Sequence, residues 1–172
     1  MPENMGGEKM NEILVYHGGT NVVEHPLCRF GRNNLDFGQG FYVTDLRQQA
    51  VDWARNVANR RKEEPLLNRY RLLRDSIIAN ARTLIFDAYD ISWLEFIVAN
   101  RQGKNMARDY DYIEGGVAND RVIDTINLYI VGLMTKETAL TRLSEYQPNN
   151  QICLLNQSLT DQYLIFDGTE SI

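Results

Sequence analysis

The chain is poor in the residues that announce a metal centre or a disulfide-stapled scaffold. Two cysteines, Cys28 and Cys153, and two histidines stand among 172 residues. That is too few for a disulfide framework and a poor set for zinc. The expectation is two buried thiols in a reducing compartment and no metal. Long apolar runs are missing as well, since none approaches the roughly 20 residues that span a bilayer. The opening stretch, MPENMGGEKMNE, is polar and lacks the basic-then-apolar order of a signal peptide. A loose tail over 1–11, no membrane partner and a cytoplasmic location are therefore expected. No phosphate loop of the form G-x-x-x-x-G-K-S/T occurs, and no pair of acids stands out as a glycosidase pair would. GRNNLDFGQG has glycines but lacks the strand-to-helix setting of dinucleotide binding.

Positive charge is also in deficit. Eighteen Lys and Arg face 23 Asp and Glu, a net charge of −5, which excludes coating nucleic acid by bulk attraction. One local exception comprises Arg55, Arg60, Arg61, Lys62, Arg69, Arg71 and Arg74, interrupted by Glu63 and Glu64. It reads as a solvated helical face or as a docking surface for an acidic target.

What is present fits one ordinary domain, 44% hydrophobic and 24% charged, long enough to bury a core without staples. EILVYHG (Glu12–Gly18) reads as a strand running into a Gly-Gly-Thr turn, and FYVTD as a second short strand. Asp45 with Gln48 resembles a capping box. From there Leu46, Ala50, Trp53, Ala54, Val57 and Ala58 recur at helical spacing to about Arg61. Leu66–Ile78 reads as a second helical stretch or loop, and RTLIFD as a strand. ISWLEFIVANR is a helix with a Trp93, Leu94, Ile97, Val98 stripe, and YDYIEGGVAND a short strand meeting a Gly-Gly bend. Helices over Arg121–Leu133 and Lys136–Glu145 follow, with MTKE as a capped junction and Pro148 as a breaker. QICLLN and YLIFDG are the last strands. The pattern gives a mixed α+β domain over 12–172, with strands at both ends and helices between.

Three places remain as carriers of chemistry: His17 at the end of the first strand, Tyr42 inside the second, and Gln151 opening the penultimate one. Polar residues at strand mouths, flanked by glycines, are what a binding cleft needs. Taken singly, each has a plainer reading: a hydrogen-bonded structural histidine, a core tyrosine, a polar residue at a strand start. Periodicity goes no further than this.

VYHGGT, FGQGFYVTDLRQQAVDWA and NNQICLLNQSL, in that order, resemble the three signature regions of the ADP-ribosyltransferase superfamily, on its His-Tyr-Glu branch. The chain from Glu12 onward more closely resembles a bacterial group known as domain of unknown function 3990, through DFGQGFYVT, WLEFIVANR and YDYIEGGVANDR. The resemblance implies an α+β fold of split antiparallel sheets, flanked by helices, around a cleft that holds NAD folded back on itself. It implies that His17 bonds the adenosine-side ribose, that the Gly18 backbone pairs with the nicotinamide carboxamide, and that Tyr42 stacks on the nicotinamide ring. Gly19 and Gly40 belong to the same NAD-binding set. Trp53 matches a second aromatic that poly-ADP-ribose polymerases carry eleven residues after the tyrosine, and would clamp the ring from its other face. Ala50 stands where those enzymes carry a hydroxyl, so the grip on the carboxamide is weakened.

The third signature usually carries Glu, and Gln151 takes its place. Gln still accepts a hydrogen bond from the nicotinamide-ribose hydroxyl, but it has no charge and cannot act as a base. The implied activity is NAD-dependent mono-ADP-ribosyl transfer to a macromolecular acceptor, protein or nucleic acid, rather than chain elongation. Asp120 is a candidate rim carboxylate for the acceptor, with a helix N-cap as its plainer role. The bacterial setting further implies a toxin or effector with a neutralising partner protein. Two other readings stay open: a non-catalytic NAD or ADP-ribose binding module, and a partner-binding protein with a vestigial cleft.

Overall fold

Alternation along one strand organises the molecule. In β1 (Ile13–Gly19) Val15 and His17 point to one face and Tyr16 and Gly18 to the other, and different layers of the structure cover the two faces. This arrangement comes from a computed structural model, which describes residues 11–31, 35–146 and 149–172. The expected tail (1–11, but for its last residue) and the expected break at Pro148 lie outside the described residues.

β1 pairs antiparallel with β3 (Leu66–Leu72), which pairs antiparallel with β7 (Leu164–Ser171), giving a three-stranded sheet. The second sheet has four strands, in the order β2 (Phe41–Val43), β6 (Gln151–Leu154), β5 (Tyr112–Gly115), β4 (Thr83–Ile85). Its β4–β5 pair is parallel, which corrects the expectation of purely antiparallel sheets. A parallel pair needs a long crossover, and α3 (Ile91–Arg101) supplies it.

The layers follow from the alternation. Tyr16 and Leu67 on the outer face of the three-stranded sheet pack against Ala50 and Val51 of α1 (Arg47–Arg61). Val15, Tyr70 and Leu72 on the inner face meet Phe41, Val43, Tyr112, Ile152 and Leu154 of the four-stranded sheet. The far face of that sheet offers Ile113 and Cys153 to α3, α4 (Asp120–Ile130) and α5 (Lys136–Ser144), with Trp93, Leu94, Val122, Ile126 and Leu143 buried there. The architecture is thus helix, sheet, sheet, helices, an α+β fold whose six α-helices among the described residues include α2 (Arg74–Asn80) and α6 (Gln157–Tyr163). No helix among the described residues is long and apolar enough to cross a membrane.

Short polar side chains start the helices. Asp90, Asn119, Thr135 and Asn156 each accept a bond from the backbone N–H three residues on, at the heads of α3, α4, α5 and α6. α1 and α2 are exceptions, each with a leucine at its N-cap that makes no side-chain cap bond, and α1 is a correction. Leu46 sits at its cap without a side-chain bond, while Thr44 Oγ1 accepts from Leu46 N at 3.1 Å. Asp45 instead accepts from Asn150 Nδ2 at 3.0 Å. The expected apolar stripe is narrower too: α1 buries Ala50, Val51, Ala54 and Ala58, and leaves Leu46 and Trp53 exposed.

The stretch expected to be helix or loop from Leu66 to Ile78 is β3 followed by α2. Asn68, Tyr70 and Leu72 point inward while Arg69 and Arg71 point out. This alternation divides the basic run. Arg69 pairs with Asp167 and Glu170, Arg71 with Glu12, and Arg74 with Glu114. Such pairs add little stability where they are exposed, but they neutralise three of the seven cations of the supposed docking surface. Arg55, Arg60 and Lys62 of the α1 end make no ion pair among the described residues.

Candidate functional site

The two sheets are joined at one bridge and then part. Tyr16 N donates to Thr44 O at 2.8 Å and Thr44 N to Tyr16 O at 3.0 Å. Extending that antiparallel register would set Gly18 opposite Tyr42. The pairing stops because His17 intervenes: its Nδ1 lies 2.8 Å from Tyr42 O, taking the carbonyl that the next bridge would use. Backbone groups of a strand alternate between its two edges. Since Tyr16 faces the bridge, the N–H and C=O of Gly18 face the same edge, beyond the point where the strands separate. A donor and an acceptor thus stand side by side where the two strands part.

The carbonyl of Tyr42 can only accept, so His17 Nδ1 carries the proton and Nε2 is a bare acceptor while the ring is neutral. Burial favours that state, pulling the imidazole below its ordinary range, with the Tyr42 carbonyl opposing in part. The ring also lies 4.5 Å from that of Phe41, centroid to centroid. Nε2 has no partner among the described residues and is not a sealed-off atom. A side chain begun at Gly19 would meet only Nε2, at 3.9 Å, so the space over Gly19 borders this nitrogen.

The other glycines serve packing. A Cβ on Gly18 would stand 2.1 Å from Ala50 O and 2.9 Å from Ala54 N, so α1 itself occupies that face. One on Gly40 would meet Leu154 O at 2.6 Å and Cys153 Sγ at 2.7 Å, so its bareness lets β2 close on β6. Trp53 precedes the Ala54 nitrogen that touches Gly18, and it is 58% exposed. Ala50 is buried beneath Gly18. Tyr42 has its hydroxyl committed: it donates to Gly38 O at 2.6 Å and accepts from Phe37 N at 3.2 Å. Burial, with Cys153 alongside, pushes the phenol far above its ordinary range. Only the half-buried ring is left to offer.

Gln151 opens β6 opposite Gly115 and is buried, with Nε2 donating to Gly116 O at 3.3 Å. Its Oε1 has no partner among the described residues and keeps some contact with solvent. Asn150, which the sequence reading passed over, ties this residue to the other signatures. Its carbonyl accepts from Thr44 Oγ1 at 2.8 Å and Gln49 Nε2 at 2.7 Å, and its N–H donates to Gln49 Oε1 at 3.4 Å. Thr44, the bridge residue, therefore touches both β1 and the head of β6. Asp120 is the first residue of α4, and the N-cap is Asn119. The Asp120 side chain lies outside the described residues.

The His17 ring thus meets the Tyr42 backbone carbonyl, Gly18 packs on Ala50 and Ala54 of α1, and Gln151 follows Asn150, whose carbonyl Thr44 holds. Trp53 is exposed and makes no ring contact with His17 or Tyr42 among the described residues. Among the described residues no group of three or more His, Cys, Asp or Glu is placed to hold a metal.

These features define an α+β protein with two facing sheets that bridge at Tyr16 and Thr44 and part beyond His17. The chain belongs to the family described as protein of unknown function (DUF3990), which matches residues 13–166. No curated protein and no solved structure matches it.

Proposed function

We propose that the cleft binds NAD and that the protein transfers a single ADP-ribose unit from it to a macromolecular acceptor, with release of nicotinamide. The observation that carries this reading is the parting of the sheets at His17. One neutral imidazole exposes an acceptor nitrogen, suited to a ribose hydroxyl, beside a peptide whose donor and acceptor suit a carboxamide. The tautomer follows from the Tyr42 carbonyl. The resemblance to ADP-ribosyltransferases in the VYHGGT, FGQGFYVTD and NNQICLLNQSL segments supports the same assignment.

In this reading Tyr42 and Trp53 present aromatic faces to the nicotinamide ring, which is cationic in NAD. His17 holds one ribose and the Gln151 amide oxygen accepts from the hydroxyl of the other. Nicotinamide leaves as a neutral ring with the electron pair of the glycosidic bond. A lone pair of the acceptor bonds to the anomeric carbon, and the acceptor proton goes to solvent. Holding the reactants in place is the main contribution of the protein. Gln151 gives dipolar rather than ionic support, about 1–3 kcal/mol less than a carboxylate, or roughly ten- to a hundredfold in rate. That fits one transfer better than repeated elongation. The same neutrality favours the second reading, an NAD or ADP-ribose binding module without turnover.

Calorimetric titration with NAD tests binding itself. Trp53→Ala is expected to leave the unfolding free energy within ~0.5 kcal/mol of wild type, because the side chain is exposed. It should weaken NAD by roughly 0.5–2 kcal/mol, the range for a ring contact with a cation. Unchanged affinity would remove Trp53 from the site, and no heat with wild type would remove NAD.

A further inference from the structure

Residue 151 is held by a frame that distinguishes an amide from a carboxylate. The Gly116 carbonyl receives two donors, Trp93 Nε1 at 3.1 Å and Gln151 Nε2 at 3.3 Å. A carbonyl oxygen has two lone pairs and only accepts. Both pairs are in use, so the nitrogen of the amide must face Gly116 and its oxygen must face away. Gly116 is itself fixed. A Cβ there would stand 2.2 Å from the Tyr89 ring, which packs edge-on to Trp93 at 4.6 Å. Tyr89 also donates to Val117 O at 2.8 Å, and Val117 N donates to Asn149 Oδ1 at 2.8 Å.

We infer that this frame selects Gln over Glu at position 151, with Trp93 acting through the Gly116 carbonyl as a positioning residue. The chain is built around a neutral acceptor and has not simply lost an acid. Glu in the same place would set a carboxylate oxygen against a carbonyl oxygen, two acceptors with no proton between them. The charged and titratable neighbours offer no relief. Tyr42 and Cys153 share the face of the sheet with Gln151, and both stay protonated through burial. Tyr89 is pushed up to about 12. Asp45 binds Asn150, and Arg101 is taken by Asp36 at 2.7 Å, beside Ala118. The selection holds whether or not the cleft takes NAD; its consequence for turnover rests on the proposed function.

Thermal unfolding of wild type, Gln151→Glu and Gln151→Ala between about pH 4 and pH 8 tests it. A protonated Glu can donate to Gly116 as the amide does, so its folded-state pKa should rise above the ordinary ~4.3. Stability from that proton is fully present below the unfolded value and lost as pH rises through the folded one. The melting temperature of Gln151→Glu, relative to wild type, should fall by about 3–10 °C across the range. Gln151→Ala should show an offset independent of pH. A Gln151→Glu profile parallel to wild type or to Gln151→Ala would overturn the proposal. Should Gln151→Glu fail to fold, the wild-type side-chain amide decides, observed by NMR with labelled glutamine and assigned by its absence from Gln151→Ala. Slow solvent exchange of that amide is expected, and a freely exchanging one would also overturn the proposal.

Discussion

Gly18→Ala should lower stability by about 3 kcal/mol or more, while Gly19→Ala beside it should stay within ~0.5 kcal/mol of wild type. The two glycines share a strand but face different layers. At Gly18 the added carbon would meet backbone atoms of α1, Ala50 O at 2.1 Å and Ala54 N at 2.9 Å, and neither can swing aside as a side chain would. The helix would have to lift from β1 along its Ala50, Ala54 and Ala58 face, the three small residues that allow the close approach. At Gly19 only His17 Nε2 is near, at 3.9 Å. Urea unfolding of both variants measures the contrast. Equal midpoints would mean that α1 does not pack on β1 as described.

His17→Ala is expected to weaken NAD by about 1–3 kcal/mol, roughly 5- to 150-fold, because a ribose hydroxyl would lose its acceptor. The pH dependence separates this from a general loss of fold. Burial holds the folded-state imidazole below its ordinary value of 6.5, so the unfolded chain takes up that proton first as pH falls. The contribution to stability is therefore present above about pH 6.5 and lost as pH drops through the lower, folded value. Affinity should fall later than stability, only as pH drops through the folded-state value itself, since a protonated Nε2 donates and no longer accepts. NAD binding by wild type should be flat from pH 7 to pH 8 and should fall in the acid range. Calorimetry at several pH values checks this. The second histidine, His25, is exposed and offers a control: His25→Ala should leave the profile unchanged.

The strands that carry the three signatures were legible in the sequence, because each joins β-formers to a glycine or polar boundary. β1, β2 and β6 are where EILVYHG, FYVTD and QICLLN place them, although β1 starts at Ile13 and takes in Gly19, expected in the turn. α3 and α5 were readable from their apolar spacing and caps. β3 was not, because its arginines masked a period of two; those charges are balanced by acids of β7 about a hundred residues away. α6 has seven residues, too few for a helical period to register between two strands. The parallel β4–β5 pair follows from the crossover, which spacing alone does not reveal.

The site was legible only in part. His17, Tyr42 and Gln151 could be placed on strands, yet the wedge that parts the sheets depends on a carbonyl, and a sequence shows no carbonyl directions. The Asn150 hub joins residues more than 100 positions apart, largely through backbone atoms. The two adjacent asparagines before QICLLN were its single trace. Gly18 and Gly40 drew notice as room for a ligand, whereas their open sides admit α1 and β6.

Nicotinamide release from NAD by the purified protein, alone and with a cell lysate that could supply the acceptor, tests the central claim most directly. The account predicts release that requires the lysate and is lost or strongly reduced in His17→Ala, Tyr42→Ala and Gln151→Ala. Release without lysate would mean hydrolysis of NAD and would contradict transfer. No release under either condition would contradict the enzyme reading itself and leave the binding module in its place.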